Sequence, residues 1–198
     1  MTSEGSRRDP LPRPSLWDDL RTLGRGAEAR RLRELLDLES RSVLLDVGGG
    51  SGAFTARFAA GAARIVVLDP GVGPSAATPR ARPGIEYRSG GGESIPLADG
   101  SVDRVTAIRS THHMESPEQF LREAYRVLRP AGRLVIEELQ PGSGFARVFA
   151  RTAHRHHGAP LDLRGPSDWS QIVRLAGFEQ VRAMDGARWF FVLGLRAE

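Results

Sequence analysis

The apolar residues of this chain fall into short runs that alternate with longer stretches of helical spacing. Ser42–Val47 and Arg64–Asp69 are compact apolar runs bounded by turn residues, the pattern of buried strands. Ile85–Arg88, Val102–Ile108 and Arg133–Leu139 read as three further strands. Leu16–Leu23 and Ala27–Leu38 carry apolar residues at helical spacing, with Leu32, Leu35 and Leu36 on one face. Ala53–Ala60 is alanine-rich and predicts a helix. Ser116-Pro117-Glu118-Gln119 is a helix start, with Ser116 as the N-cap and proline in the first turn, and that helix is predicted to run to Leu128. Phe145 to about His157 is a further helical stretch, and Asp168–Ala176 predicts another, stopped by Gly177. Phe178–Met184 and Arg188–Leu195 flank Asp185-Gly186, a hairpin signal.

Strands alternating with helices predict an α/β fold with a mostly parallel sheet. The chain has 198 residues and is 40% hydrophobic, which suits a single domain with one proper core. Residues 1–14 are polar and rich in proline and arginine, and are read as a tail outside the fold. No apolar run approaches the length of a membrane-spanning helix. Cysteine is absent, which excludes disulfides, thiolate metal sites and a cysteine nucleophile, and fits a reducing, cytoplasmic setting. The net charge is +4 and every strong base is an arginine, since lysine is absent. The resulting pI of about 10.7 is weak evidence for a nucleic-acid partner. Pro70–Pro83 holds four prolines and is read as loop.

The densest chemistry lies in Asp46-Val47-Gly48-Gly49-Gly50-Ser51-Gly52, between a strand and a helix. Glycines allow a tight turn and a close ligand approach, and a helix start offers unpaired N–H groups. Gly48, Gly50 and Ala53 also fit a dinucleotide-binding pattern. Asp46 argues against that reading, because a pyrophosphate would sit near a carboxylate, whereas an ammonium group would be attracted. Asp69 ends the second strand at about the distance expected of a ribose-hydroxyl acceptor, which either cofactor would use.

Four segments in order resemble the class I S-adenosylmethionine-dependent methyltransferases of the small, metabolite-methylating type. They are Val43–Gly52, Glu93–Asp103, Phe120–Val135, and Asp168-Trp169 with Ala176–Phe178. The resemblance implies a Rossmann-like, doubly wound seven-stranded sheet with an antiparallel C-terminal hairpin, and S-adenosylmethionine as cofactor. It implies that Gly48, Gly50 and Gly52 cradle the methionine portion, that Asp46 orients its ammonium, and that Asp69, followed by Pro70, takes the ribose hydroxyls. It places Gly92 and Glu93 in the adenine-facing loop and Arg109 beside the methionine. Two departures stand out: Gly91 occupies the position where the family usually has an acid, and Pro70–Pro83 replaces a usual helix.

Thr111-His112-His113 follows the fourth strand, and either histidine suits a general base for an alcohol or phenol, with His113 favoured; a structural role is the competing reading. Glu137 and Glu138 end the fifth strand and read as ordinary surface carboxylates. Residues 142–165 are read as a lid. Within it Arg147, Arg151 and Arg155 share a helical face, read as a solvated row in preference to a clamp for an anionic acceptor. His154 and His157 lack a third ligand nearby, so no metal site is expected. The leading expectation is methyl transfer to a small-molecule acceptor. A non-catalytic binding protein on the same fold and a nucleic-acid methyltransferase are the alternatives, and a nicotinamide dehydrogenase ranks third. A homodimer is compatible with the sequence.

Overall fold

The structure is a computed structural model that describes residues 25–71, 82–144, 146 and 163–198. The expected helix at Leu16–Leu23, most of the Pro70–Pro83 loop and most of the lid, including Arg147, Arg151, Arg155, His154 and His157, lie outside the described residues.

The strands are β1 (Val43–Val47), β2 (Arg64–Leu68), β3 (Ile85–Arg88), β4 (Val102–Ile108), β5 (Leu128–Leu139), β6 (Glu179–Met184) and β7 (Trp189–Leu195). They form one seven-stranded sheet in the order β3-β2-β1-β4-β5-β7-β6. The first five pair in parallel, and β7 runs antiparallel to both β5 and β6. This is the doubly wound α/β fold expected from the sequence, with its antiparallel C-terminal hairpin. The chain reverses its winding between β1 and β4, so the carboxyl ends of those strands border the crevice where such sheets bind ligands.

Helices cover both faces. Helix α1 (Gly26–Leu36) and the short α2 (Thr55–Phe58) pack on one face, where Leu32, Leu36, Leu44, Phe58, Ile65 and Val135 form a buried cluster. Helices α3 (Pro117–Val127) and α4 (Pro166–Leu175) pack on the other, around Phe120, Leu121, Leu134, Ile136, Trp169, Val173 and Phe190. Strands buried on both sides explain the nearly continuous apolar runs of β1 and β2. Alternation along β5 sends Val135 to the α1 face and Leu134 and Ile136 to the α3 face.

Local chemistry sets the boundaries. The Ser116 hydroxyl accepts the Gln119 N–H (3.2 Å), which caps α3 at the predicted residue. Helix α2 is shorter than the expected 53–60 segment, because Gly52 (φ 68) still belongs to the preceding turn and Gly61 (φ 88) turns the chain away. Strand β5 begins earlier than expected, since Leu128 already pairs with Val102 before an irregularity brings Arg133 opposite Arg104.

Candidate active site

The glycine loop closes over the carboxyl end of β1. The Gly48 N–H donates to the Leu68 carbonyl (2.7 Å), and the Gly50 N–H donates to an Asp69 carboxylate oxygen (2.9 Å). Gly48 and Gly50 adopt positive φ, 74° and 55°. A Cβ at Gly48 would collide with Ser110, whereas one at Gly50 would meet no atom within 4 Å. The loop thus presses against the fold at 48 and leaves a cradle at 50. A cavity of about 240 Å³ lies there, lined by the loop together with Arg25, Asp46, Phe54, Thr55 and Ile108.

Asp46 forms the floor. Its carboxylate accepts the hydroxyls of Thr55 (2.5 Å) and Thr106 (2.8 Å), and Gly49 packs directly over it. Burial pushes its pKa up to about 6, against the two hydroxyl bonds that favour the ionised form. Asp69, at the end of β2, is half-buried and accepts from Gly50 on one oxygen and from Gly71 (2.8 Å) on the other, with Pro70 exposed beside it. The Tyr87 hydroxyl donates to the Ser51 carbonyl (2.9 Å), and Gly52 leaves room for that ring.

The two adjacent glutamates of β5 correct the surface reading: both are fully buried. Strand alternation points them to opposite faces, and each finds a cationic or titratable partner. Glu137 faces α1. Arg109 donates to it through Nε (3.0 Å) and a terminal nitrogen (2.7 Å), and also reaches Glu28 of α1 (2.8 Å). Arg25 pairs with Glu28 and lies 3.9 Å from Glu137. Burial pushes the Glu137 pKa up to about 8, with the neighbouring Glu28 adding to the rise and Arg109 opposing it. Glu28 itself is held below its ordinary value: burial works against ionisation, but the bonds and charges from Arg25 and Arg109 outweigh it.

Arg109, with φ 55°, also stacks its guanidinium over Trp189 (3.6 Å). That guanidinium is therefore taken up by Glu137, Glu28 and the indole. The guanidinium on the wall of the glycine-loop cavity belongs to Arg25, stacked over Phe54 (3.4 Å).

On the opposite face Glu138 meets the turn Thr111–His113. It accepts the Thr111 hydroxyl (2.5 Å) and the Leu139 N–H (2.9 Å), and lies 2.9 Å from His112 Nδ1. Burial works to raise the Glu138 pKa, but the bonds from His112 and Thr111 prevail and hold it below the ordinary carboxylate value. His112 is buried, and His113 is exposed with its ring 4.1 Å from that of His112. Of the two, His112 has the Glu138 carboxylate at its Nδ1, and His113, the histidine favoured from the sequence, is exposed beside it.

Glu93 lies at the approach to α3. One oxygen accepts the Glu115 N–H (2.9 Å), so the carboxylate fastens the approach to α3. Its other oxygen lies 2.9 Å from where a Cβ at Gly91 would sit, so the carboxylate of Glu93 fills the space that a side chain at 91 would need. Gly92 is buried against Phe120, Met114 and Val47 with no room for a Cβ.

Among the described residues no helix is long and apolar enough to cross a membrane. Sequence reasoning missed Arg25, Glu28, Thr55 and Thr106. The Thr106 hydroxyl beside the floor carboxylate follows from the pairing of β1 with β4, whereas Thr55 comes from α2 and nothing local marks Arg25 and Glu28.

Comparison with known proteins agrees with this geometry. Residues 45–136 match the methyltransferase domain family. A demethylmenaquinone methyltransferase of Renibacterium salmoninarum is 30% identical over 178 residues, covering 88% of this chain and 74% of that protein. An uncharacterized methyltransferase of a Mycobacterium species is 39% identical over 159 residues, covering 74% of this chain but only 59% of its own length. The fold matches human N-acetylserotonin methyltransferase in complex with S-adenosylmethionine, with a TM-score of 0.69 at 18% identity, covering 93% of this chain and 57% of that one. The residues present fit that cofactor, since the cradle at Gly50 is open, Asp69 stands at the end of β2, and Asp46 and Arg25 line the same cavity. The chain belongs to the S-adenosylmethionine-dependent methyltransferase family.

Proposed function

We propose that this protein methylates a small-molecule acceptor, with His112 as the general base and Glu138 as the residue that orients it. The observation that carries the reading is the buried His112–Glu138 pair at the carboxyl ends of β4 and β5. When bound, S-adenosylmethionine supplies a sulfonium methyl group for in-line displacement, and the glycine loop with Asp46 and Asp69 would hold it. The protein's own task is then to position the acceptor, exclude water and remove a proton.

An ionised Glu138 favours the proton on His112 Nδ1 and makes the buried Nε2 the basic nitrogen of the ring. The same carboxylate stabilises the imidazolium that forms. A base of this kind suits a phenol- or quinol-type acceptor, whose oxygen or adjacent ring carbon becomes nucleophilic on deprotonation. The demethylmenaquinone methyltransferase among the relatives supports that class of acceptor.

The test is a methyl-transfer assay with labelled S-adenosylmethionine against quinols, phenols and amines, with the product read by mass spectrometry. Methylated quinol or phenol is expected, and His112→Asn should lower kcat by about 10²–10⁴-fold while cofactor affinity stays the same. Cofactor binding with no transfer to any acceptor would favour a non-catalytic role. Transfer that is indifferent to His112→Asn would remove the base assignment.

A further inference from the structure

On the α3 face of the sheet, the carboxamide oxygen of Gln140 and the indole N–H of Trp169 are shut off from solvent and have no hydrogen-bond partner among the described residues. Neither takes part in the bonds that join Glu138 to Thr111 and His112. A buried donor or acceptor is costly to leave unmatched, and folded proteins carry few of them, so each calls for a reason.

The fold brings both residues to the same end of that face. Gln140 directly follows β5, and its N–H still donates to the Arg188 carbonyl (2.9 Å), so strand alternation places it on the side of Glu138. Trp169, 1% exposed, lies in the first turn of α4 and belongs to the cluster of Phe120, Leu134 and Ile136 on the same side. Helix α3 starts just beyond the carboxyl end of β4, after the turn that carries His112. Arg164, beside the start of α4, pairs with Glu118 in the first turn of α3 (2.5 Å). The first turns of both helices therefore stand at the end of the sheet where His112 meets Glu138.

The two unmatched atoms are chemically complementary, one a donor and one an acceptor. An anionic guest would satisfy the indole N–H but offer no proton to the carboxamide oxygen, and an ammonium would do the reverse. A hydroxyl accepts from the first and donates to the second, and it carries no charge into a buried site. A guest that lacks this hydroxyl leaves both groups unmet.

We propose that Gln140 and Trp169 form a hydroxyl-recognition subsite of the acceptor site, which selects acceptors that carry a second hydroxyl besides the one His112 would deprotonate. The proposal rests on the assignment of His112 as the base, and it narrows the acceptor class from phenols in general to dihydroxy aromatics of the quinol type.

Methyl-transfer assays on the full chain test it with two probes, naphthohydroquinone kept reduced and 1-naphthol, which lacks the second hydroxyl. Titration of each probe in the presence of S-adenosylhomocysteine reports binding apart from turnover. Wild type should favour naphthohydroquinone by about tenfold or more in kcat/KM. Trp169→Phe, which keeps a ring in the core but removes the N–H, and Gln140→Leu should each bring that preference to within about threefold, chiefly through KM and Kd for naphthohydroquinone. The double variant should lose little more than either single one, because both groups meet the same hydroxyl. Thermal melts report whether each variant folds, and Gln140→Leu, at a half-buried position, carries the test alone if Trp169→Phe does not. Wild type that treats the probes alike, or folded variants that keep the wild-type preference, overturn the proposal and leave His112-dependent transfer standing. Preferential binding of naphthohydroquinone that both variants lose, without any transfer, supports the subsite and removes the base assignment instead. If wild type neither binds nor methylates either probe, the subsite is overturned.

Discussion

Glu137 is buried, fully shielded from solvent, and its pKa is pushed up to about 8 from an ordinary 4.5. Between those values the folded protein retains a proton that the unfolded chain has released. Stability must therefore fall as pH rises from about 4.5 to about 8, and level off above that. One tenfold change in proton affinity corresponds to about 1.4 kcal/mol, so the interval sets an upper bound of about 4–5 kcal/mol for this one side chain. Glu137→Gln imitates the neutral acid in shape and cannot ionise. Urea unfolding of both proteins at about pH 5, 6.5 and 8 measures the effect, and a constant slope against urea keeps the comparison two-state. Asp46, whose pKa is also raised, to about 6, contributes a slope of the same sign at lower pH, but it is present in both proteins and cancels in the difference. The expected result is that the stability of wild type relative to Glu137→Gln declines steadily from pH 5 to pH 8. A difference that stays flat, or that grows with pH, would refute the buried-acid account of Glu137.

Other outcomes follow from the same geometry. Gly48→Ala places a Cβ against Ser110 at a φ of 74°, so it should displace the loop and abolish S-adenosylhomocysteine binding by calorimetry, at a stability cost of about 1–3 kcal/mol. Glu138→Ala strands His112 and Thr111 in a buried site and should destabilise by about 3–5 kcal/mol in thermal or urea melts, whereas Glu138→Gln should keep most of the stability and lose turnover. Glu86, paired with Arg64 and Arg88 on the surface, is a control: Glu86→Gln should change stability by less than about 1 kcal/mol, and that small change should shrink further in high salt.

The parts of the fold that were readable from the sequence are those written locally. The apolar runs of β1 and β2, the Ser116 cap and the stop at Gly177 each depend on residues a few positions apart. The glycine loop was readable for the same reason, since strand, turn and helix start are contiguous. The charge cluster was not, because Arg25, Glu28, Arg109 and Glu137 come from four places in the chain and no periodicity links them. Glu137 and Glu138 misled for a related reason. Carboxylates seldom become fully buried unless paired, and their partners are supplied only by tertiary packing. Two adjacent histidines in a three-residue turn give no sign in the sequence of which one meets a carboxylate; the distant Glu138 supplies that contact to His112.

Two consecutive residues of β5 thus serve opposite faces of the sheet. Glu137 belongs to the cluster beside the glycine loop and Glu138 to the histidine on the other side of the sheet, with a single peptide bond between them. A substitution at 138 can alter the contacts of His112 and Thr111 while the charges around Arg25 stay as they are, and a substitution at 137 can do the reverse. A deletion within β5 upstream of this pair has no such freedom: slipping the strand by one residue would exchange the two carboxylates between faces and leave both arginines and the histidine facing the wrong neighbours. The strand therefore tolerates changes of letter far better than changes of length.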